Sequence, residues 1–406
     1  MANIPYYYRS VFADAIFGTG RNIVWIGHSQ AQNLGYLPPY SVIRLLDVTW
    51  KGITCTGING TGNGNECEAG SSSQITPGTL DAIDGVTPLT FWPSPFTSPI
   101  VAATGNVANG ATIAQYAFYG NGTRRSQFRG GAWYTPSDGG IRRSRLACYR
   151  GPSGIARVSV INTDTPTTQQ DVDLVSGYQH FDLDIPASVT TNTGVTGAPT
   201  KFMGYVGYDE TGKNFFVMGE RRWDPNATTG NEIGFYGWPG ATLTDFNNTA
   251  KIANAAFDNI INFQDANAFV FNYDINDTVS DTATFQAAYQ TAIDRITAAF
   301  DRAGRNYVGL CICSPESTTA AKWPFIEEAI YNVCLKNGRL QFANLYRAMG
   351  GASSYSKNIA DEVTGDGGAD TTHQLRHGSP AFVMALNALL KASVNNRTPI
   401  IRNIEG

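Results

Sequence analysis

Ser29 stands in the run GHSQA, directly after the apolar stretch NIVWI, and near the other end of the chain Asp370 and His373 are spaced three residues apart in DTTH. A hydroxyl, an imidazole that takes its proton and a carboxylate that orients the imidazole together make a serine oxygen nucleophilic. Gly27 allows a sharp strand-to-helix turn that would expose the Ser29 hydroxyl at the carboxyl edge of a strand, where open α/β sheets carry their sites. The spacing of Asp370 and His373 lets one turn hold a carboxylate beside an imidazole, and the chain has only four histidines in all, which gives this one weight. Each fragment alone has a structural reading: Ser29 as a helix cap, DTTH as the end of the solvated acidic run DEVTGDGGAD. That run fits no EF-hand spacing.

Two more segments offer groups that could hold a developing negative charge. In YGWPGATLTDF a strand ends near Gly240 and a helix begins, so the Gly240 N–H would be available; in NYDIND, after another strand, Asn276 supplies a side-chain amide. Taken singly, the first is turn chemistry and the second a helix cap.

In chain order, the serine, the glycine, the asparagine and the C-terminal DxxH resemble the four sequence blocks of the SGNH (GDSL-type) hydrolase family. The resemblance covers about residues 18–48 and 230–395. It implies a three-layer α/β/α, flavodoxin-like domain with a parallel sheet, in which Ser29 attacks an acyl carbon, His373 is the base, Asp370 orients it, and the Ser29 N–H, Gly240 N–H and Asn276 amide form the oxyanion hole. Two positions depart from the family pattern: His28 replaces the usual aspartate before the serine, and Asp274 replaces the usual glycine ahead of the asparagine. His28 is unsuited to act as base for its own neighbour, because adjacent side chains on a turn diverge; packing or substrate contact is expected of it. His28, Gln30, Trp238 and Asp274 are the candidate substrate-binding residues. An α/β-hydrolase would need GxSxG in mid-chain, whereas GHSQA ends in Ala and comes first.

The elements that must position these groups are legible as alternating periods. NIVWIG, IGFYG, AFVFNY, YVGLCIC and LQFANLY read as strands. Phe285, Tyr289, Ile293, Ile296 and Phe300 recur at helical spacing, WPFIEEAIYNVCLKNG reads as a helix with Pro324 in its first turn and Gly338 past its end, and the last helix is expected from Ser379 and Pro380. Such alternation predicts βαβ crossovers and a parallel sheet covered on both faces.

Residues 52–226 differ. RVSVI, DVDLV, HFDLDI and KFMGYVGYDETGKNFFVM show short strand patterns, the last read as a hairpin turning at Asp209–Gly212, with Gly-, Ser- and Thr-rich connectors. The expected organisation is therefore a discontinuous hydrolase-like domain, 1–51 and 227–406, interrupted by an antiparallel, sandwich-like β-domain at 52–226. Arg124, Arg125, Arg129, Arg142, Arg143 and Arg145 lie among aromatics in this insertion; they suit an acidic glycan, or solvent-facing positions along strands.

Charged residues make up only 15% of the chain and the net charge is −4, which gives no general attraction for nucleic acid or anionic membranes. No apolar run is long enough to span a bilayer and no secretion signal is visible, so a soluble protein is expected, extracellular or virion-associated, with a virion or cell-surface assembly as a partner and a cytoplasmic setting still open. The six cysteines include no CxxC pair and no zinc-type spacing with histidine, so neither metal nor cofactor is expected. Cys311 and Cys313 read as packed thiols, and Cys55 and Cys67 could pair under oxidising conditions. The expected activity is a serine esterase acting on short acyl groups, O-acetyl above all, of a carbohydrate or polysaccharide. The alternatives are a non-catalytic glycan-binding or phage-tail-type structural protein of the same fold, and an O-acyltransferase.

Overall fold

The structure is a computed structural model that describes residues 4–28, 42, 46–56, 118–120, 126–129, 143–150, 156–162, 167–175, 177–184, 203–209, 215–238, 241–249, 252–315, 320–351 and 378–395. The chain divides into two compact units. The first takes in Met1–Thr49, Phe235–Asn248 and Asp265–Gly406, the second Trp50–Gly234 and Thr249–Gln264.

In the first unit, β1 (Tyr7–Tyr8), α1 (Val11–Phe17) and β2 (Asn22–His28) open the chain. The others are α2 (Leu243–Asn247), β13 (Ala268–Asn272), α4 (Thr282–Arg302), β14 (Val308–Cys313), α5 (Trp323–Lys336), β15 (Leu340–Asn344), α6 (Leu345–Ala348) and α7 (Gly378–Asn395). The strand order is β1-β15-β14-β13-β2. β2, β13, β14 and β15 run parallel, in the register Ile26, Phe271, Cys311, Phe342. The edge strand β1 is antiparallel to β15, an addition to the purely parallel sheet expected from the sequence.

Alternation along the strands sorts the helices into two layers. Phe342 meets Tyr331 of α5, and Phe271, level with it, meets Tyr289 of α4. Gln341 points the other way: its Oε1 accepts the Phe12 and Ala13 N–H groups of α1, and its Nε2 donates to Ser393 of α7. Trp25 likewise meets Phe382 of α7. The unit is thus α/β/α, with β13 and β15 buried along their whole length. Gly309 is fixed by packing, since a Cβ there would come within 2.4 Å of the Phe269 ring.

Local chemistry sets the helix ends. Asp281 caps α4 by accepting the Thr284 N–H at 2.7 Å. Arg9 caps the other end of α5, donating to the carbonyls of Cys334 and Asn337, each at 2.6 Å. The five positions of helical spacing, Phe285, Tyr289, Ile293, Ile296 and Phe300, are all buried, as are the free thiols Cys311, Cys313 and Cys334.

The second unit holds β3 (Trp50–Thr56), β4 (Phe118–Gly120), β5 (Ser126–Arg129), β6 (Arg143–Arg150), β7 (Ala156–Asn162), β8 (Thr167–Leu174), β9 (Gly177–Asp184), β10 (Met203–Asp209) and β11 (Phe215–Trp223). It also takes the first half of β12 (Asn231–Trp238) and the helix α3 (Asn254–Gln264), segments that the sequence reading assigned to the hydrolase-like part. One sheet runs β12-β3-β11-β6-β9, the other β5-β10-β7-β8. The hairpin read across Asp209–Gly212 does not form: β10 pairs with β5 and β7, while β11 pairs with β3, β4 and β6. β10 ends at Asp209, and cross-strand partners elsewhere in the chain decide its sheet.

Candidate active site at the carboxyl edge of the parallel sheet

The four parallel strands of the first unit end in buried polar residues: His28 on β2, Asn272 on β13 with Asp274 just past it, Ser314 after β14 and Asn344 on β15. Buried groups past the last ladder bond need side-chain partners. Asp274 Oδ2 accepts the Ser314 N–H at 2.7 Å, and Asn272 Nδ2 donates to Ser314 Oγ at 2.6 Å. His28 Nε2 stands 3.4 Å from Asp274 Oδ1, both side chains withdrawn from solvent. Farther along, the Glu327 carboxylate accepts from Arg347 and from Asn344 Nδ2.

The turn after β13 is tied to the start of α2. Asn276 Nδ2 donates to the Ala241 carbonyl at 3.0 Å, and the Asp277 carboxylate accepts the Leu243 N–H at 2.9 and 3.2 Å. Thr242 and Asp245 close a capping box on the same helix end. Burial pushes the Asp277 carboxyl up to about 7, against the Leu243 N–H, which favours the charged form; the Asp274 charge nearby adds to the rise. Lys322, itself buried, turns its ammonium onto the carbonyls of Asp274, Ile275 and Asp277. Burial lowers its pKa.

Sequence reasoning missed Lys322, Ser314 and Asn272. The signal for Lys322 is a cation at the N-terminal cap of α5, the end where the helix dipole opposes positive charge, so a tertiary partner must hold it there. For the other two it is a polar residue closing an otherwise apolar strand.

Ser29, Gln30, Gly240, Asp370 and His373 lie outside the described residues, as does the Cys55–Cys67 pairing. Trp238 is the last residue of β12, and its side chain is not described. Of the other candidates, His28 and Asp274 are brought together and buried, so neither presents surface to a substrate; Asn276 is half-buried and held beside Ala241, the residue after Gly240. The cap of the helix that follows Asn276 is Asp281, leaving the Asn276 amide free of that duty. Among the described residues no group of three or more His, Cys, Asp or Glu could hold a metal ion, and no helix is long and apolar enough to cross a membrane.

In the second unit Arg145 and Arg221 are used structurally. Arg145 pairs with Asp182 at 2.5 Å and donates to the Asn262 and Phe263 carbonyls at the end of α3. Arg221 pairs with buried Glu232 at 2.7 Å and stacks on Trp223. Arg124, Arg125 and Arg142 lie outside the described residues.

No protein-family model matches the chain, and no curated protein matches it in sequence. Among solved structures, a peptidoglycan O-acetylesterase shares the fold with a TM-score of 0.55 at 14% identity, over 95% of this chain and 93% of that one. Fainter likenesses, which carry no weight, are to a family two carbohydrate esterase from Cellvibrio japonicus (TM-score 0.30, 8% identity, 69% of this chain and 92% of that one) and a GDSL-like lipase structure from Bacteroides ovatus (0.31, 8%, 77% and 96%). The chain has an SGNH hydrolase-like fold.

Proposed function

We propose that this chain, on its SGNH hydrolase-like fold, is a serine esterase that removes short acyl groups, acetyl in the first place, from a carbohydrate or polysaccharide. The single observation that carries the reading is the hydrogen bond from Asn276 Nδ2 to the Ala241 carbonyl. It links the glycine and asparagine segments, far apart in sequence, at the sheet edge where the strand bearing Ser29's neighbour His28 also ends. An asparagine amide has two N–H groups; with one on Ala241, the second remains for an oxyanion.

In this mechanism Ser29 Oγ attacks the acyl carbon as His373 takes its proton, with Asp370 orienting the imidazole. The Ser29 and Gly240 N–H groups and the Asn276 amide hold the charge that develops on the acyl oxygen. The bond to the sugar oxygen breaks, that oxygen takes the proton from His373, and water, activated by the same imidazole, then releases the acid from Ser29. The preference for a glycan ester rests on the peptidoglycan O-acetylesterase whose fold the chain shares. Residues 52–226 are taken as an inserted β-domain that contacts the glycan, in a protein working outside the cell or on a virion.

The test is acetate release from acetylated glycans and hydrolysis of a chromogenic acetate ester by the wild-type protein and by Ser29→Ala. Loss of turnover on the order of 10⁴-fold is expected in the variant; equal rates would remove Ser29 as nucleophile.

A further inference from the structure

Two positions at which the sequence departs from the family pattern, His28 and Asp274, lie far apart in the chain, yet their side chains stand 3.4 Å apart between the ends of β2 and β13. We infer that His28 and Asp274 form a positioning pair that fixes the end of β2, the residue before Ser29, to the end of β13; this rests on the esterase reading above.

Three observations support the pair. Both side chains are buried, and His28 Nε2 and Asp274 Oδ1 face each other at 3.4 Å without hydrogen-bond geometry, so what links them is a close electrostatic contact. Asp274 has one oxygen on the Ser314 N–H at 2.7 Å and the other toward His28, so its carboxylate joins the ends of β2, β13 and β14. The main chain of Asp274 is held as well, by the buried Lys322 ammonium, which bonds in the same way to the carbonyls on either side of Asn276. His28 is the residue directly before Ser29, so fixing its peptide fixes the point from which the chain leads to the proposed nucleophile. The Tyr273 ring meets the His28 ring edge-on with centroids 6.1 Å apart, which limits the imidazole's choice of position. Neither residue needs to touch substrate for this role.

A partnership of this kind predicts coupling. A carboxylate on either side of the gap would serve; two carboxylates, or an imidazole without its acid, would not. The test uses the full chain with Asp274→Gly, Asp274→Asn, His28→Asp and the double variant His28→Asp/Asp274→Gly, with Ser29→Ala as reference, assayed on the chromogenic acetate ester. Each single substitution is expected to lower kcat by about 10²-fold, as small misplacements of a nucleophile do, with little change in KM. The double variant is expected to recover most of that loss, a coupling above about tenfold. Should Asp274→Gly fail to fold, Asp274→Asn decides, because its amide oxygen still accepts the Ser314 N–H and only the oxygen facing His28 is replaced, by an amide NH2. Imidazole ¹⁵N shifts of His28 in Asp274→Asn add a readout independent of turnover, expected to move from those of the wild type.

Ser29-dependent turnover with single variants within about twofold of the wild type, or losses that multiply in the double variant, would overturn the pair and leave the esterase reading standing. Turnover that does not depend on Ser29 would remove the esterase reading and the pair with it.

Discussion

The two ends of the parallel strands in the first unit use polar side chains in opposite ways. At the amino end, Asn267 Oδ1 accepts the Asn22 N–H at 2.9 Å, Asn22 Nδ2 donates to the Asp265 carbonyl at 3.3 Å, and Arg305 pairs with Asp265 at 2.9 Å while both remain about a third exposed. These bonds fasten strand starts to one another and leave water to share the work. At the carboxyl end, His28, Asn272, Asp274, Ser314 and Asn344 have no exposed surface; their partners come from neighbouring strands and loops, while Asn272 Oδ1 and Asp274 Oδ1 accept no hydrogen bond from the described residues. Polarity kept in water is inexpensive, whereas polarity kept out of it needs a complete set of partners. The carboxyl edge is therefore the costlier of the two, and the one that the proposed chemistry uses.

The largest contrast is expected between two asparagines. Asn276→Ala should lower kcat on an acetate ester by about 10² to 10³, the effect of removing one oxyanion donor. Asn267→Ala should leave kcat unchanged and lower stability by about 1 kcal/mol, that of a single hydrogen bond. Steady-state kinetics and urea melts on the two variants would break the comparison if their effects were alike.

Next in size is Glu327→Ala, which takes the partner from buried Asn344 and from Arg347. A loss of about 2 kcal/mol is expected by chemical denaturation. A smaller effect follows from Asp277. Its carboxyl titrates near pH 4 in the unfolded chain and at about 7 in the fold, so between those values the folded state holds the extra proton. Stability should fall as the pH rises through that window, with a slope of up to about 1.4 kcal/mol per pH unit. Asp277→Asn should flatten the profile and be the more stable protein above pH 7, read from melting temperatures across the range. The smallest effect is that of Arg305→Ala at the amino end, below about 1 kcal/mol and reduced further by salt, as for any exposed pair.

Much of this was legible in the sequence and some was not. The strands NIVWI, AFVFN and VGLCIC and the helix through Phe285 and Phe300 follow from apolar periods of two and 3.6 residues, which are local properties. Asn276 was reached through motif order. Lys322 was not, because its partners are backbone carbonyls, which no side-chain pattern reveals. The hairpin across Asp209–Gly212 was misread because a turn signal states where a strand stops and says nothing of which strand lies beside it.

By itself, then, the sequence determined the α/β alternation of the first unit, since apolar periods depend on residues within a turn or two of one another. Only the tertiary structure decided that His28 faces Asp274, that Asn276 reaches Ala241, that Arg145 ends a helix, and that β10 and β11 part company. Those outcomes depend on strand order and register, which are settled by the summed packing of segments far apart in the chain.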